Sequence, residues 1–347
     1  MPVLGLLGLP WSGVTSTLRC LCGSSVAADA GQGVAEVRDP RLADLARVSS
    51  SQRVVAATLE VADLTRLVRG AKRGEGLGNE LLAHMRTTDA LLLVVRCFED
   101  DQVAHPEGRV DPVDDAETVE LELVFADQAV VERRLLRLAK TAKSGDAAAI
   151  AERELLERLA EALEQGRPAR SFDESLPESL DLLTAKPALY VANVDESGNA
   201  EGVGRLREFG AQRGIETIAL DAKLEAEIAE LDSDDRQAFL DDLGIARPAL
   251  DLVSLAAYAA LDLIPFFTSG EKETRAWTIR RGQSAQEAAG KIHTDIARGF
   301  IRAEVIECAK LVEAGGEAEA KRRGWLRVEG RDYVVKDGDV LNVRFNV

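Results

Sequence analysis

The chain is short of sulfur, imidazole and aromatic rings: four cysteines, three histidines and 4% aromatic residues in 347 positions. Cys20, Cys22, Cys97 and Cys308 sit in apolar surroundings without the spacing of a disulfide framework. No metal-ligand spacing links His84, His105 and His293, so a zinc site is not expected. Cys20-Leu21-Cys22 reads as buried thiols on a first helix rather than a redox pair. No apolar run approaches the roughly 20 residues that span a bilayer. Met1-Pro2-Val3 leads straight into a strand without a basic leader, so the expected location is cytoplasmic, with no membrane partner. Positive charge is scarce too. The 43 Lys and Arg stand against 60 Asp and Glu, a net of −17, which argues against DNA and any broad nucleic-acid surface. The shortage is uneven: residues 263–347 carry 15 basic and 13 acidic residues, so an RNA contact would use this part or a local basic stripe.

One more absence is a single side chain. Gly8-Leu9-Pro10-Trp11-Ser12-Gly13-Val14-Thr15 follows the apolar run Val3 to Leu7 and precedes a helix around Thr17 to Leu21. That is the context of a phosphate-binding loop, whose pattern is Gly, four residues, Gly, Lys, then Ser or Thr. The glycines let backbone N–H groups curl around phosphate, the lysine neutralises the β and γ phosphates, and the hydroxyl holds Mg²⁺. Here Val14 takes the lysine's place. Trp11, Ser12, Gly13, Val14, Thr15 and Ser16 are the candidate phosphate-binding residues. Thr15 is the candidate metal ligand, with Asp63 behind it at the C-terminal end of a strand, where α/β sheets bind ligands.

Along the chain, Gly31 to Leu42 mixes turn residues with a helix start near Arg41 to Ala46, and Val54 to Asp63 reads as one or two strands. A glycine-rich basic connector, Leu67 to Asn79, precedes a helix at Glu80 to Thr87 and a strand at Ala90 to Val95. This alternation fits a doubly wound parallel sheet. From Asp114 to Leu163 two helices are expected, with Leu121, Val124, Val131, Leu135 and Leu138 on one stripe and Ile150, Leu155, Leu159 and Leu163 on the other, turning at Thr141 to Asp146. They read as an antiparallel coiled-coil arm or as two surface helices on the sheet. Strands resume at Ala188 to Asn193 and Ile215 to Leu220, with acidic helices over 223–260. The tail then predicts strands at Arg275 to Ile279, Trp325 to Val328, Tyr333 to Val335 and Val340 to Phe345, plus a helix at Ala285 to His293, in a β-grasp-sized unit.

The tail also carries a specific resemblance. Thr274-Arg275-Ala276-Trp277-Thr278-Ile279, Ala288-Ala289-Gly290-Lys291-Ile292-His293-Thr294-Asp295, Gly299-Phe300-Ile301-Arg302-Ala303-Glu304-Val305 and Asp332-Tyr333-Val334-Val335-Lys336-Asp337-Gly338-Asp339-Val340 look like a TGS domain. Upstream, Asp39-Pro40-Arg41-Leu42, Gly70 to Asn79 and Arg96-Cys97-Phe98-Glu99-Asp100 are similar to switch and sheet motifs of the same family. Along essentially its whole length the chain resembles the YchF or Obg-like ATPase family.

The resemblance implies a Ras-like P-loop G domain in residues 1–113 and 166–262, a coiled-coil insertion at 114–165 and a TGS domain at 263–347. It implies ATP rather than GTP, because the base-reading loop, Asn193-Val194-Asp195-Glu196, ends in Glu; Asn193, Val194 and Glu196 are the base-side candidates. It implies ribosome or RNA contacts through the TGS domain and arm, and it makes His105 the candidate catalytic residue. Three departures accompany it: Val14, Arg66 where the family has the glycine of Asp-X-Ala-Gly, and a shortened stretch between Cys22 and Asp39 without a Mg²⁺-binding threonine. The expectation is a nucleotide-binding protein with weak or lost hydrolysis. The alternatives are an active ATPase in which Arg66 or Arg69 replaces the lysine, and a non-enzymatic interaction protein with a vestigial pocket.

Overall fold

The computed structural model describes residues 1–26, 31–65, 79–106, 108–142, 146–196, 198–231, 233–243, 245 and 247–346. Arg66, Arg69 and the glycine-rich connector up to Gly78 lie outside the described residues. The chain divides into two compact units, one of residues 1–35 and 60–253, the other of residues 36–59 and 254–347.

β1 (Val3–Leu7) leads into α1 (Val14–Cys22); β2 (Gln32–Val37), α2 (Arg41–Val48), β3 (Val54–Val55) and β4 (Ala57–Asp63) follow. After α3 (Asn79–Arg86) and β5 (Ala90–Arg96) come the long helices α4 (Pro112–Ala142) and α5 (Ala147–Glu164). β6 (Ala188–Asn193), α6 (Ala200–Gln212), β7 (Glu216–Leu220), α7 (Ala222–Glu230), α8 (Ser233–Asp242) and α9 (Ala249–Ala260) complete this part. The sheet order is β2-β4-β1-β5-β6-β7, and β4, β1, β5, β6 and β7 pair in parallel. Every residue of β5 and β6 is buried, as continuous apolar runs of a central parallel sheet should be. Because β1 lies between β4 and β5, its C-terminal end opens at a switch point of the topology, the place where such sheets bind ligands.

α4 and α5 form an antiparallel pair. Val124, Val131 and Leu138 meet Leu156, Leu159 and Leu163 in one buried cluster. The α5 stripe is rotated from the expected one: Leu156 and Ala149 face inward, while Leu155 is half-buried and Ile150 is 39% exposed. Asp146 caps α5 by accepting from the amides of Ala148 and Ala149. Arg134 and Glu152 join the two helices through paired N–H···O bonds of 2.8 and 3.0 Å.

Besides α2, β3 and the end of α9, the second unit holds β8 (Leu263–Thr268), β9 (Thr274–Arg280), α10 (Ala285–Ile292), α11 (Thr294–Arg298), β10 (Phe300–Glu307), α12 (Cys308–Ala314), α13 (Glu317–Arg322), β11 (Arg327–Glu329) and β12 (Asp339–Phe345). Its sheet runs β11-β10-β12-β8-β9-β3. α10 begins in a Ser284–Glu287 capping box and lays Ala285, Ala288 and Ala289 on Phe266, Ile279, Val305 and Leu341.

Two local expectations differ from the structure. Gln32–Val37 is a strand rather than turn, its alternating burial imposed by the neighbouring β4 and hidden in the sequence by small residues. Tyr333–Val335 makes only an isolated bridge between Ser284 and Val334. The Tyr333 hydroxyl donates to Asp339 at 2.8 Å, and the chain turns at Gly338, φ 80°, before β12.

Candidate functional site

The C-terminal ends of β1, β5, β6 and β7 border an open cleft of about 1710 Å³ in the first unit. The loop between β1 and α1 forms its floor. Gly13 adopts φ 98°, and a Cβ there would run into the Asn193 carboxamide; at Gly8 a Cβ would meet Ser12 Oγ and the Val94 carbonyl. These two glycines keep the loop tight enough to curl. The Leu9 carbonyl accepts from the Ser12 amide at 3.1 Å, and Gly13 accepts from the Thr17 amide at 2.9 Å, where the helix takes over. The first amides of α1 have no intrahelical acceptor and carry the positive end of the helix dipole. Ser12 is 2% exposed, and its Oγ has no hydrogen-bond partner among the described residues. A concavity that a Cβ would fill, free amides and an orphaned hydroxyl fit a phosphate group.

Trp11, at φ 68°, is 69% exposed over this loop, Ser16 is exposed, and Val14 is buried at 5%. Thr15 is half-buried, and its hydroxyl donates to Asp63 Oδ2 at 2.8 Å; the other carboxylate oxygen accepts from the Thr65 amide and hydroxyl at 3.0 and 2.6 Å. Thr15 and Asp63 therefore adjoin, and their oxygens suit a hard cation such as Mg²⁺.

On the opposite wall, β6 delivers Asn193 to the loop directly: its buried Nδ2 donates to the Ser12 carbonyl at 2.9 Å. Val194, Asp195 and Glu196 continue along the cleft, with the Glu196 side chain 90% exposed. The structure thus brings Trp11 to Ser16 together with Asn193, Val194 and Glu196 around one cavity. His105 is placed differently. Its ring is 5% exposed and bonded through Nε2 to Asp115 at 2.9 Å, and it is not among the residues that line the cleft. Burial pushes the Asp115 carboxyl above its ordinary value, partly opposed by that bond to His105.

Two features of the cleft lie outside the candidate site residues. Asp221-Ala222-Lys223 follows β7 and lines the cleft beside Glu196, with Lys223 Nζ 4.0 Å from Glu196 Oε1. Asp221 caps α7 by accepting from the amides of Lys223 and Leu224. Only its position at a strand's C-terminal end signals it. Arg96, 2% exposed, donates to the carbonyls of Phe98, Val103 and Asp100 at 3.1, 3.0 and 3.4 Å and so holds the loop that forms the third wall. A buried arginine inside an apolar strand was the available signal.

The chain is 44% identical over 362 residues to the Ribosome-binding ATPase YchF of Bacillus subtilis, the match covering 99% of each. The chain belongs to the YchF family. The Ribosome-binding ATPase YchF of Escherichia coli O157:H7 is 42% identical over 99% of both chains. Residues 263–346 match the family model YchF-GTPase_C, described as a protein of unknown function (DUF933). The Schizosaccharomyces pombe YchF GTPase structure superposes with a TM-score of 0.89 at 29% identity, over 99% of this chain and 97% of that one. A GTP binding protein from Pyrococcus horikoshii OT3, 19% identical with a TM-score of 0.63 over the full length of both, shares the fold. YchF membership agrees with the parallel P-loop sheet, the helical insertion and the mixed C-terminal unit. No helix among the described residues is long and apolar enough to cross a membrane.

Proposed function

We propose that this YchF protein binds an adenine nucleotide in the P-loop cleft and acts at the ribosome, with hydrolysis weak or lost. The observation that carries the reading is the joining of the two halves of a nucleotide site, the phosphate loop and the base-side strand end, by the Asn193–Ser12 bond. The relatives named Ribosome-binding ATPase YchF support both the nucleotide and the ribosome. In this reading the loop amides and Ser12 hold phosphates. Thr15, backed by Asp63, holds Mg²⁺, which when bound would neutralise phosphate charge. Asn193, Val194 and Glu196 line the base end, where a terminal Glu favours adenine over guanine. Residues 263–347 and the arm at 114–165 are the proposed ribosome or RNA contacts.

Weak hydrolysis follows from Val14. Phosphoryl transfer rests on electrostatic stabilisation of the transferring group, and a valine supplies none. Calorimetric titration with ATP, ADP and GTP, together with a phosphate-release assay in Mg²⁺, tests the reading. The expected outcome is adenine-nucleotide binding with turnover near background. Fast turnover abolished by Asp63→Ala would overturn the hydrolysis part, and no heat with any nucleotide would overturn the whole.

A further inference from the structure

We infer that the cleft is a nucleoside diphosphate site, holding ADP more tightly than ATP; this rests on the adenine-nucleotide reading above. The parts of a P-loop contact different phosphates. Backbone amides cradle the α and β phosphates, whereas the lysine reaches the β and γ phosphates. The backbone part is intact here: Gly13 at φ 98°, the tight approach at Gly8, the open amides of α1 and the unpartnered, 2% exposed Ser12 Oγ. The backbone groups that cradle a diphosphate are therefore present, and what Val14 removes is the lysine's share of the β phosphate and all of its hold on the γ phosphate. The group that would answer the γ phosphate is a valine, 5% exposed, whose Cγ2 packs toward Gly8.

The surrounding charge sharpens the difference. Among the described residues lining the cleft, Glu99, Asp100, Glu122, Asp195, Glu196 and Asp221 oppose only two cations, Arg19 and Lys223. Lys223 lies toward the base-side loop, 4.0 Å from Glu196. Arg19 is exposed and stands five residues beyond Val14 on α1. A third phosphate brings another negative charge into this acidic surround and gains no lysine for it. Like charges repel, and an unpaired charge loses the solvation it had in water. In a P-loop with the lysine present the added phosphate is compensated; here no described side chain takes the lysine's place, and a bound cation shared with the β phosphate is the remaining offset. The site then behaves as a reader of the diphosphate state, and a charge-assisted contact missing from the γ phosphate shifts the ATP to ADP dissociation-constant ratio by about tenfold or more.

The test is titration calorimetry on the full chain in Mg²⁺ with ADP, GDP and the β,γ-imido analogue of ATP, which removes turnover from the comparison. ADP is expected to bind at least about tenfold tighter than the triphosphate. Val14→Lys, checked by thermal melting, should narrow or reverse that ratio, whereas Val14→Ala, which frees the same space without a charge, should leave ADP the tighter ligand. Equal binding of the two adenine nucleotides by the wild-type chain, or tighter binding of the triphosphate, overturns the inference while leaving nucleotide binding in place. If neither binds, the adenine-nucleotide reading itself falls. The wild-type ratio decides the matter even if Val14→Lys does not fold.

Discussion

Gly13 is the residue on which the candidate site turns. Its φ of 98° belongs to backbone that side chains rarely adopt, and the space where a Cβ would stand is taken by the Asn193 carboxamide. Gly13→Ala therefore meets two obstacles, one torsional and one steric, and about 1–3 kcal/mol of stability should be lost. The same change pushes Asn193 away from the Ser12 carbonyl and opens the loop. A urea unfolding series should show a lower midpoint at unchanged slope, and ADP binding should disappear from the folded variant. An unchanged midpoint would mean that the loop relaxes around the methyl group and that its geometry is not tightly held. Trp11 shows the same economy in reverse: a bulky residue sits at φ 68° and 69% exposed, strain that a loop tolerates when its curvature is fixed by its neighbours.

At the scale of elements, a wholly buried carboxylate helps to anchor the arm, beside the Glu120 contacts to Arg170 and Arg213. Asp127 of α4 is wholly buried and accepts from the amides of Leu183 and Thr184, at 2.8 Å each, and from the Thr184 hydroxyl at 2.6 Å. Burial raises its pKa above 3.8, the Thr184 and Leu183 bonds opposing only in part. A carboxyl whose folded pKa lies above its unfolded one binds more protons in the folded state. Its contribution is full below the unfolded value and is lost as pH rises through the folded one. Asp127→Asn, which never ionises, should flatten the stability curve in that acid window relative to wild type; parallel curves from pH 3 upward would show that Asp127 does not titrate there. Nothing in the local sequence announces this tether, because Thr184 lies 57 positions away. What was legible followed from period and context: the runs of β1, β5 and β6, the glycines of the phosphate loop, the paired helices and Asp63 at a strand end. What was not legible needed the third dimension. β2 is a strand through its place beside β4 at the sheet edge, α5 presents Leu156 rather than Leu155, and Asp221 reaches the cleft through sheet order rather than through any motif.

For the whole molecule the governing quantity is charge. A chain of net −17 that is proposed to meet ribosomal RNA is repelled at long range and must attract through a local surface at short range. In the second unit Arg302 of β10 and Arg344 of β12 are cross-strand neighbours in register, both exposed, beside Ile301 at 59% and Phe345 at 43% exposure. Glu304 takes a 2.9 Å bond from Arg344 and offsets part of that charge. In the arm, Arg133 and Arg137 are exposed on one face of α4, while Arg134 is engaged by Glu152. Co-sedimentation with ribosomes over a potassium chloride series separates the two surfaces. Each phosphate neutralised contributes roughly 0.7–0.9 to the log–log salt slope. Arg302→Glu with Arg344→Glu should weaken binding and lower the slope by about one to two, and Arg133→Glu with Arg137→Glu should do the same if the arm also touches RNA. Because the two pairs share no partners, their losses should add. Should both double variants sediment as wild type with an unchanged slope, Arg302, Arg344, Arg133 and Arg137 would have no part in the ribosome contact, and it would have to be made by other residues.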